Sequence, residues 1–173
     1  MIPKVAAFFW GNKEMSWLRY MTLHSFCKLN PDWDIRLYQS KPNNAERLWV
    51  DSVRQDFDKK QLEDYSSRLN DLPIKVIPWE IIPPETEDNK WQNMGPSHKS
   101  NFFKWQWLAE NSGMYCDMDI LFVKPLDRLL SKITDSDVVI CHNDKSAVFP
   151  HGYFSIGFLA SSGNNSFYSD VLK

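Results

Sequence analysis

The sequence predicts an α/β fold, in which strand–helix–strand units build a sheet that helices flank. Residues 4–10 form an apolar run that ends in Trp10-Gly11-Asn12, which is typical of a buried strand followed by a turn. Residues 15–29 carry apolar side chains at helical spacing, and residues 33–39 alternate apolar and polar side chains. A strand, a helix and a second strand in this order indicate two parallel strands joined by a crossover helix.

The same criteria assign the rest of the chain. Asn30-Pro31 ends the first helix, because proline cannot continue one. The remaining predicted elements are, in chain order, two charged helices within 44–70, a strand at 74–77 closed by Pro78, a loop over 79–96, a helix over 97–111 stopped by Ser112-Gly113, a strand that contains Asp117-Met118-Asp119, a short helix near 126–132, a strand at 138–140, an apolar and aromatic segment at 152–160 and the start of a last helix.

The composition is that of a globular protein and excludes several classes. The chain has 173 residues, so we expect a single domain over 1–173. Its net charge of −2 does not indicate the basic surface that nucleic-acid binding requires. The sequence also lacks the run of about 18 apolar residues that would predict a membrane span. Three scattered cysteines predict a reducing compartment and no zinc site. We therefore expect a cytoplasmic protein, at most peripheral to a membrane.

The segment Asp117-Met118-Asp119 lies between Tyr115-Cys116 and the apolar run Ile120–Val123. In a strand, side chains repeat every second residue, so we expect the two carboxylates to share one face. Charge within an apolar strand is costly unless it has a partner. Mg²⁺ and Mn²⁺ prefer carboxylate oxygen and accept phosphate in the same shell. The segment therefore predicts a metal–diphosphate site.

Three segments resemble the glycosyltransferase family with a DXD-containing sugar-binding region. This family (family 32-like) includes the yeast-type α-mannosyltransferases, capsule and lipopolysaccharide glycosyltransferases and, more distantly, the clostridial glucosylating toxins. The segments that carry the resemblance are Ile2-Pro3-Lys4-Val5 through Phe9-Trp10-Gly11, Asn30-Pro31-Asp32-Trp33 through Leu37-Tyr38, and Ser100-Asn101 through Lys104, Leu108, Gly113, Tyr115 and Asp117-Met118-Asp119, with a weaker echo at Ser155–Ala160.

The resemblance implies a GT-A type fold, which is a Rossmann-like mixed sheet flanked by helices. It also implies Mn²⁺ or Mg²⁺ as cofactor and transfer with retention, giving an α-linkage. Trp10 would stack on the nucleobase of a UDP- or GDP-sugar, and Asn101 and Lys104 would face the donor sugar. Asp117 would reach the ribose or the sugar and share the metal site with Asp119, which would bind the ion that bridges the diphosphate.

Ser100 and Tyr115 belong to the same motif and complete the residues implied for substrate binding, while Lys104 and the two aspartates are those implied for catalysis. The family has aspartate and arginine where this chain has Asn101 and Lys104. Asparagine brings no charge, and lysine cannot make the bidentate fork of arginine. The acceptor implied is a glycan or a lipid-linked sugar.

Two other functions compete with glycosyl transfer. A metal-dependent nucleotidyltransferase also uses paired aspartates, but it usually has a glycine-rich, basic loop after its first strand. Here that position holds Trp10-Gly11-Asn12-Lys13, with a single glycine. The second alternative is a non-catalytic nucleotide-sugar-binding remnant, which the Asn101 and Lys104 substitutions favour.

Overall fold

The structure is a computed structural model that describes residues 1–11, 14–40, 63–80, 96–145 and 148–172. Within these residues the chain is a mixed α/β structure with one six-stranded sheet flanked by helices. The elements are β1 Val5–Trp10, α1 Trp17–Leu29, β2 Asp34–Ser40, a 3₁₀-helix Ser66–Asp71, β3 Lys75–Trp79, α2 Pro96–Glu110, β4 Ser112–Cys116, α3 Asp127–Leu130, β5 Val138–Asn143, β6 Tyr153–Ser162 and α4 Ser166–Val171.

The strand order in the sheet is β3-β2-β1-β4-β6-β5. Strands β3, β2, β1 and β4 run parallel to one another, which confirms the predicted parallel pair of β1 and β2. Strand β6 runs antiparallel to both β4 and β5. The sheet is therefore mixed. Strands β3, β2, β1 and β4 form its parallel part, and β6 introduces antiparallel pairing with β4 and β5.

The alternation of side chains along β1 gives the sheet two packed faces. Phe8 packs edge-to-face on Phe26 of α1, with 5.3 Å between the ring centroids. Phe9 stacks on Phe103 of α2 on the other face, also at 5.3 Å. Helices α1 and α2 therefore cover opposite faces of the same sheet, and each face has its own core cluster.

The strand β4 lies against β1 because Gly113 has no side chain. A Cβ at this position would lie 2.7 Å from the backbone oxygen of Val5, and the φ of Gly113 is +138°. Only glycine adopts such a backbone conformation without strain. Helix α2 ends at Glu110, just before the predicted stop at Ser112-Gly113, and these two residues also begin β4.

Other boundaries agree with prediction to within a few residues, with one correction. Pro78 was expected to close its strand, but it lies inside β3, paired with Gln39 of β2. Proline is tolerated there because β3 is the edge strand of the sheet, where a missing N–H leaves no neighbouring strand unpaired. Most of the helices predicted within 44–70 and of the loop predicted over 79–96 lies outside the described residues, apart from the 3₁₀-helix and its flanks.

Cys27, Cys116 and Cys141 are free thiols. None of the helices in the described ranges is long and apolar enough to cross a bilayer.

Candidate functional site

The candidate site lies at the point in the sheet where successive strands stop being added on one side of β1 and are added on its other side. From β1 the chain builds outward to β2 and β3, and then returns to place β4 on the other side of β1. In open α/β sheets, ligands bind beyond the carboxyl ends of the strands at such a switch point. Trp10 ends β1, and Asp117 follows the last residue of β4. The topology therefore brings Trp10 and the two aspartates to one edge of the sheet.

The two aspartates lie in a turn after β4, which corrects the prediction that they lie inside a strand. Strand β4 ends at Cys116, and the apolar run Ile120–Val123 that follows the turn is not a strand. Beyond Asp117, helix α1 holds the backbone of this segment. The Thr22 hydroxyl donates to the Met118 carbonyl at 3.0 Å, and the Phe122 N–H donates to Ser25 Oγ at 3.2 Å.

Asp117 is the centre of a hydrogen-bonded cluster. Its Oδ1 accepts from Lys104 Nζ at 3.1 Å and from the Tyr115 hydroxyl at 2.7 Å. Lys104 Nζ also donates to the carbonyl of Ile156 at 3.1 Å and lies 4.9 Å from the centroid of the Tyr115 ring. The structure therefore brings together three of the residues that the sequence singled out, and it adds the backbone of β6 to them.

Lys104 and Tyr115 are each only 1% exposed. Burial lowers the pKa of Lys104, and the adjacent Asp117 carboxylate opposes this shift. Burial, together with Asp117, raises the pKa of Tyr115 well above its ordinary value. Neither side chain has an appreciable solvent-facing surface, and both contact the more exposed Asp117 carboxylate.

Asp119 pairs with Arg19 of α1, whereas Asp117 pairs with Lys104 of α2, so the alternation expected of a strand does not hold for this pair. Its Oδ2 lies 3.7 Å from a guanidinium nitrogen of Arg19, a residue of α1, and its side chain is 38% exposed. The Arg19 guanidinium carbon lies 6.0 Å from the centroid of the Trp10 ring. The physical reason is the turn itself, because outside a strand the side chains no longer repeat every second residue.

Sequence analysis missed Arg19. Its position carried a signal, because Arg19 lies four and seven residues before Leu23 and Phe26, which are both fully buried on α1. Residues at these spacings share one helix face. A charged residue on the apolar face of a helix needs an anionic partner, and the acidic turn after β4 supplies one.

Gly157 of β6 was also not assigned a role. Its carbonyl accepts the Asp117 N–H at 2.7 Å, and a Cβ on Gly157 would lie 3.2 Å from Asp117 Oδ2. The absence of a side chain lets β6 approach the carboxylate closely. Gly157 and Ile156 therefore form a backbone wall beside Asp117 and Lys104.

The remaining predicted residues lie on α2 near this cluster. Ser100 is half-buried, and its hydroxyl donates to the Ser97 carbonyl at 3.0 Å. Asn101 is half-buried one turn before Lys104 on the same helix. Trp10 is also half-buried and packs against the core on the α1 face.

The donor set of this site suits a divalent ion that shares its shell with phosphate. The described residues contain no group of three or more histidine, cysteine, aspartate or glutamate side chains arranged to hold a metal ion. Asp119 offers a partly exposed carboxylate, whereas Asp117 Oδ1 is already bonded to Lys104 and Tyr115. Mg²⁺ usually takes one or two carboxylates and fills its shell with water and substrate phosphates. Such an ion fits these residues only together with a phosphate ligand.

A comparison with protein-family models finds no match to this sequence, and a comparison with curated proteins finds none. Solved structures do match. The PaToxG glycosyltransferase aligns with a TM-score of 0.60 at 17% sequence identity, over 99% of this chain and 59% of that chain. A transferase that carries two cysteine-to-serine substitutions aligns with a TM-score of 0.51 at 12% identity, over 97% of this chain and 75% of that chain.

The chain thus spans about three-fifths of the length of the PaToxG glycosyltransferase. Identities this low carry the fold and leave the activity to be tested. The fold of this chain, with its six-stranded sheet, is similar to that of the PaToxG glycosyltransferase. The chain described here therefore has a glycosyltransferase-like fold.

Proposed function

We propose that this protein is a glycosyltransferase of the GT-A type, which moves a sugar from a UDP- or GDP-sugar to a glycan or lipid-linked acceptor. The observation that supports it most directly is the meeting of Trp10, Asp117 and Asp119 at the switch point of a glycosyltransferase-like sheet. The proposal includes a requirement for Mn²⁺ or Mg²⁺ and transfer with retention, giving an α-linkage.

Each residue has a role that follows from its surroundings. Trp10 offers an aromatic ring at the end of β1, and stacking on a nucleobase contributes about 1–3 kcal/mol. Asp117 accepts hydroxyl groups of the ribose or the sugar with the oxygen that Lys104 and Tyr115 leave uncommitted. Asn101 lies one helical turn before Lys104 and contacts the donor sugar, where its neutral amide selects the sugar differently from a carboxylate.

Asp119 is the residue that would hold the divalent ion, since its carboxylate is the more exposed of the two. Such an ion supplies positive charge to the nucleoside diphosphate as it leaves, which is where negative charge develops. The protein's own part is to fix the carboxylates before the donor arrives. Thr22 and Ser25 do this by holding the backbone of the turn.

The first prediction tests the role of Asp119 by isothermal titration calorimetry with UDP and with GDP, each with and without Mn²⁺. Wild type should bind one of the two nucleotides in a metal-dependent manner. Asp119→Asn keeps the shape of the side chain but removes its charge, so metal-dependent binding should weaken at least about tenfold, which is about 1.4 kcal/mol. Melting temperature should change little, because Asp119 is partly exposed.

The exposed Asp135, which lies outside the site, provides the matched control as Asp135→Asn. This variant should bind as wild type does. Unchanged nucleotide binding in Asp119→Asn would remove the metal role from this residue. Metal-dependent binding without hydrolysis or transfer from any nucleotide sugar would favour a non-catalytic binding protein, and absence of nucleotide binding in wild type would contradict the proposed function.

A further inference from the structure

Arg19 is an unassigned cation inside the proposed site. It lies in the first turn of α1, and it is 7% exposed. One guanidinium nitrogen lies 3.7 Å from Asp119 Oδ2, and the guanidinium carbon lies 6.0 Å from the Trp10 ring centroid. A single arginine therefore contacts both the carboxylate proposed for the metal ion and the ring proposed for the nucleobase.

Two ion pairs lie in this part of the described structure. Lys104 pairs with Asp117, and Arg19 pairs with Asp119. A divalent ion placed on Asp119 alone would put two further positive charges beside the buried guanidinium. Like charges at such distances in a poorly solvated site repel strongly. A nucleoside diphosphate removes this excess, because its negative charges lie next to both cations.

We propose that Arg19 makes the binding of the divalent ion and of the nucleoside diphosphate mutually dependent. In the absence of the diphosphate, Arg19 occupies the carboxylate of Asp119 and disfavours the ion. With the diphosphate present, the guanidinium gains an anionic partner for which its planar donor fork is suited, and Asp119 becomes available to the ion. This inference rests on the proposed function, and it adds a positioning residue and a coupling between the two ligands.

The position of Arg19 in α1 strengthens this effect. The amino-terminal end of a helix carries a partial positive charge, and the first turn of α1 contains no acidic residue to compensate for it. A cation placed there adds to the positive potential instead of offsetting it. The potential disfavours a second cation and favours an anion, which is the combination that mutual dependence requires.

Calorimetry on wild type and on Arg19→Met tests the proposal, with Mn²⁺ alone, with UDP or GDP alone, and with both. Association of Mn²⁺ with nucleotide in solution is measured separately and subtracted. In wild type, each ligand should bind at least about 30-fold more tightly when the other is present, and the two factors should be equal by linkage. Arg19→Met keeps an apolar stem against Trp10 but removes the charge.

In Arg19→Met the two affinities should move in opposite directions. Mn²⁺ alone should bind about three- to tenfold more tightly because Asp119 has lost its competing partner, while the nucleotide in saturating Mn²⁺ should bind at least about tenfold more weakly. Arg19→Lys keeps the charge and should retain part of the mutual dependence. Lys28→Met removes an exposed cation from the same helix and should bind as wild type does.

The outcomes separate this inference from the proposed function. A merely structural role for Arg19 predicts that both affinities fall together in Arg19→Met, and that result would overturn the inference. So would a wild-type protein that binds Mn²⁺ equally well with and without nucleotide, a measurement that holds even when Arg19→Met does not fold. If wild type binds no nucleotide under any condition, the proposed function fails and the inference fails with it.

Discussion

Lys104 shows how one residue can serve the fold and the site together. It is 1% exposed, and its ammonium group is held by Asp117 and by the carbonyl of Ile156. The sequence placed it on the helix that precedes the acidic segment, and the resemblance implied that it faces the donor sugar. Burial explains the pairing with Asp117, because a lysine with no solvent access must have an anionic partner.

We predict that Lys104→Met destabilises the protein by more than its lost contacts suggest. Removing one member of a buried ion pair costs about 3–5 kcal/mol, since the other charge is left without a partner. The loss should lie toward the lower end, because the Asp117 side chain remains 30% exposed. Urea denaturation measures the change in the free energy of unfolding.

The double variant Lys104→Met/Asp117→Asn is the matched control for this prediction. It removes both charges, so it should recover most of the stability that Lys104→Met loses. Nucleotide-sugar turnover should stay low in both variants, because Asp117 is placed at the donor. A double variant that is as unstable as Lys104→Met would mean that lost packing of the lysine stem, and not an unpaired charge, explains the effect.

At the scale of elements, α1 determines the shape of the acidic turn. The Thr22 hydroxyl donates to the Met118 carbonyl, and Ser25 Oγ accepts from the Phe122 N–H. Asn30, the residue that follows α1, accepts from the Leu126 N–H with its Oδ1. Beyond Asp117, whose N–H is accepted by Gly157 of β6, these bonds take the place of strand pairing. They also explain why an apolar run such as Ile120–Val123 does not extend β4.

Thr22→Val tests this function of α1. Valine has nearly the same shape as threonine but cannot donate to the buried Met118 carbonyl, which then has no partner from Thr22. We expect a loss of about 1–3 kcal/mol in stability and weaker metal-dependent nucleotide binding, since the turn also carries Asp119. Chemical denaturation and calorimetry measure the two effects.

Thr134 is exposed, and Thr134→Val makes the same chemical change there, so it serves as the control. That variant should change stability by less than about 0.5 kcal/mol and leave nucleotide binding unaltered. A Thr22→Val protein with wild-type nucleotide binding would show that the turn keeps its conformation without α1.

At the scale of the whole molecule, segments far apart in the chain are tied to the loop between β1 and α1. Asp64 accepts the backbone N–H of Met15 at 2.8 Å, as well as the N–H and the hydroxyl of Ser66. The Ser66 hydroxyl and then the Met15 N–H lower the pKa of Asp64 below its ordinary value. The ionised form is therefore favoured in the folded state.

This shift predicts how stability responds to acid. A carboxyl whose pKa is lower in the folded state stabilises the fold above about pH 4, its unfolded pKa, and the contribution is lost as pH falls through the folded pKa. Asp64→Asn keeps an acceptor oxygen but does not titrate. Its free energy of unfolding should therefore fall less steeply than that of wild type between about pH 5 and pH 2. Parallel curves in thermal or urea denaturation would exclude Asp64 as a contributor.

Local patterns in the sequence determined the parallel half of the fold. The apolar run of β1, the helical spacing in α1 and the alternation in β2 each depend on neighbours within about ten residues, so periodicity predicted their positions closely. The acidic pair was identified in the same way. The insertion of β6 between β4 and β5 has no local signature, because it depends on which distant strands bury their faces best.

The contacts between charged side chains in the site depend on the tertiary structure. Lys104 of α2 binds Asp117, thirteen residues further along the sequence. Arg19 pairs with Asp119 from α1, the helix on the other face of the sheet from α2. A buried charge takes whichever opposite charge the fold brings within reach, since the cost of leaving it unpaired exceeds any local preference. The sequence alone therefore determined that two carboxylates follow a central strand. Packing of α1 and α2 on opposite faces determined that Asp119 pairs with Arg19 and Asp117 with Lys104, because these partners come from helices that meet the turn only in the folded chain.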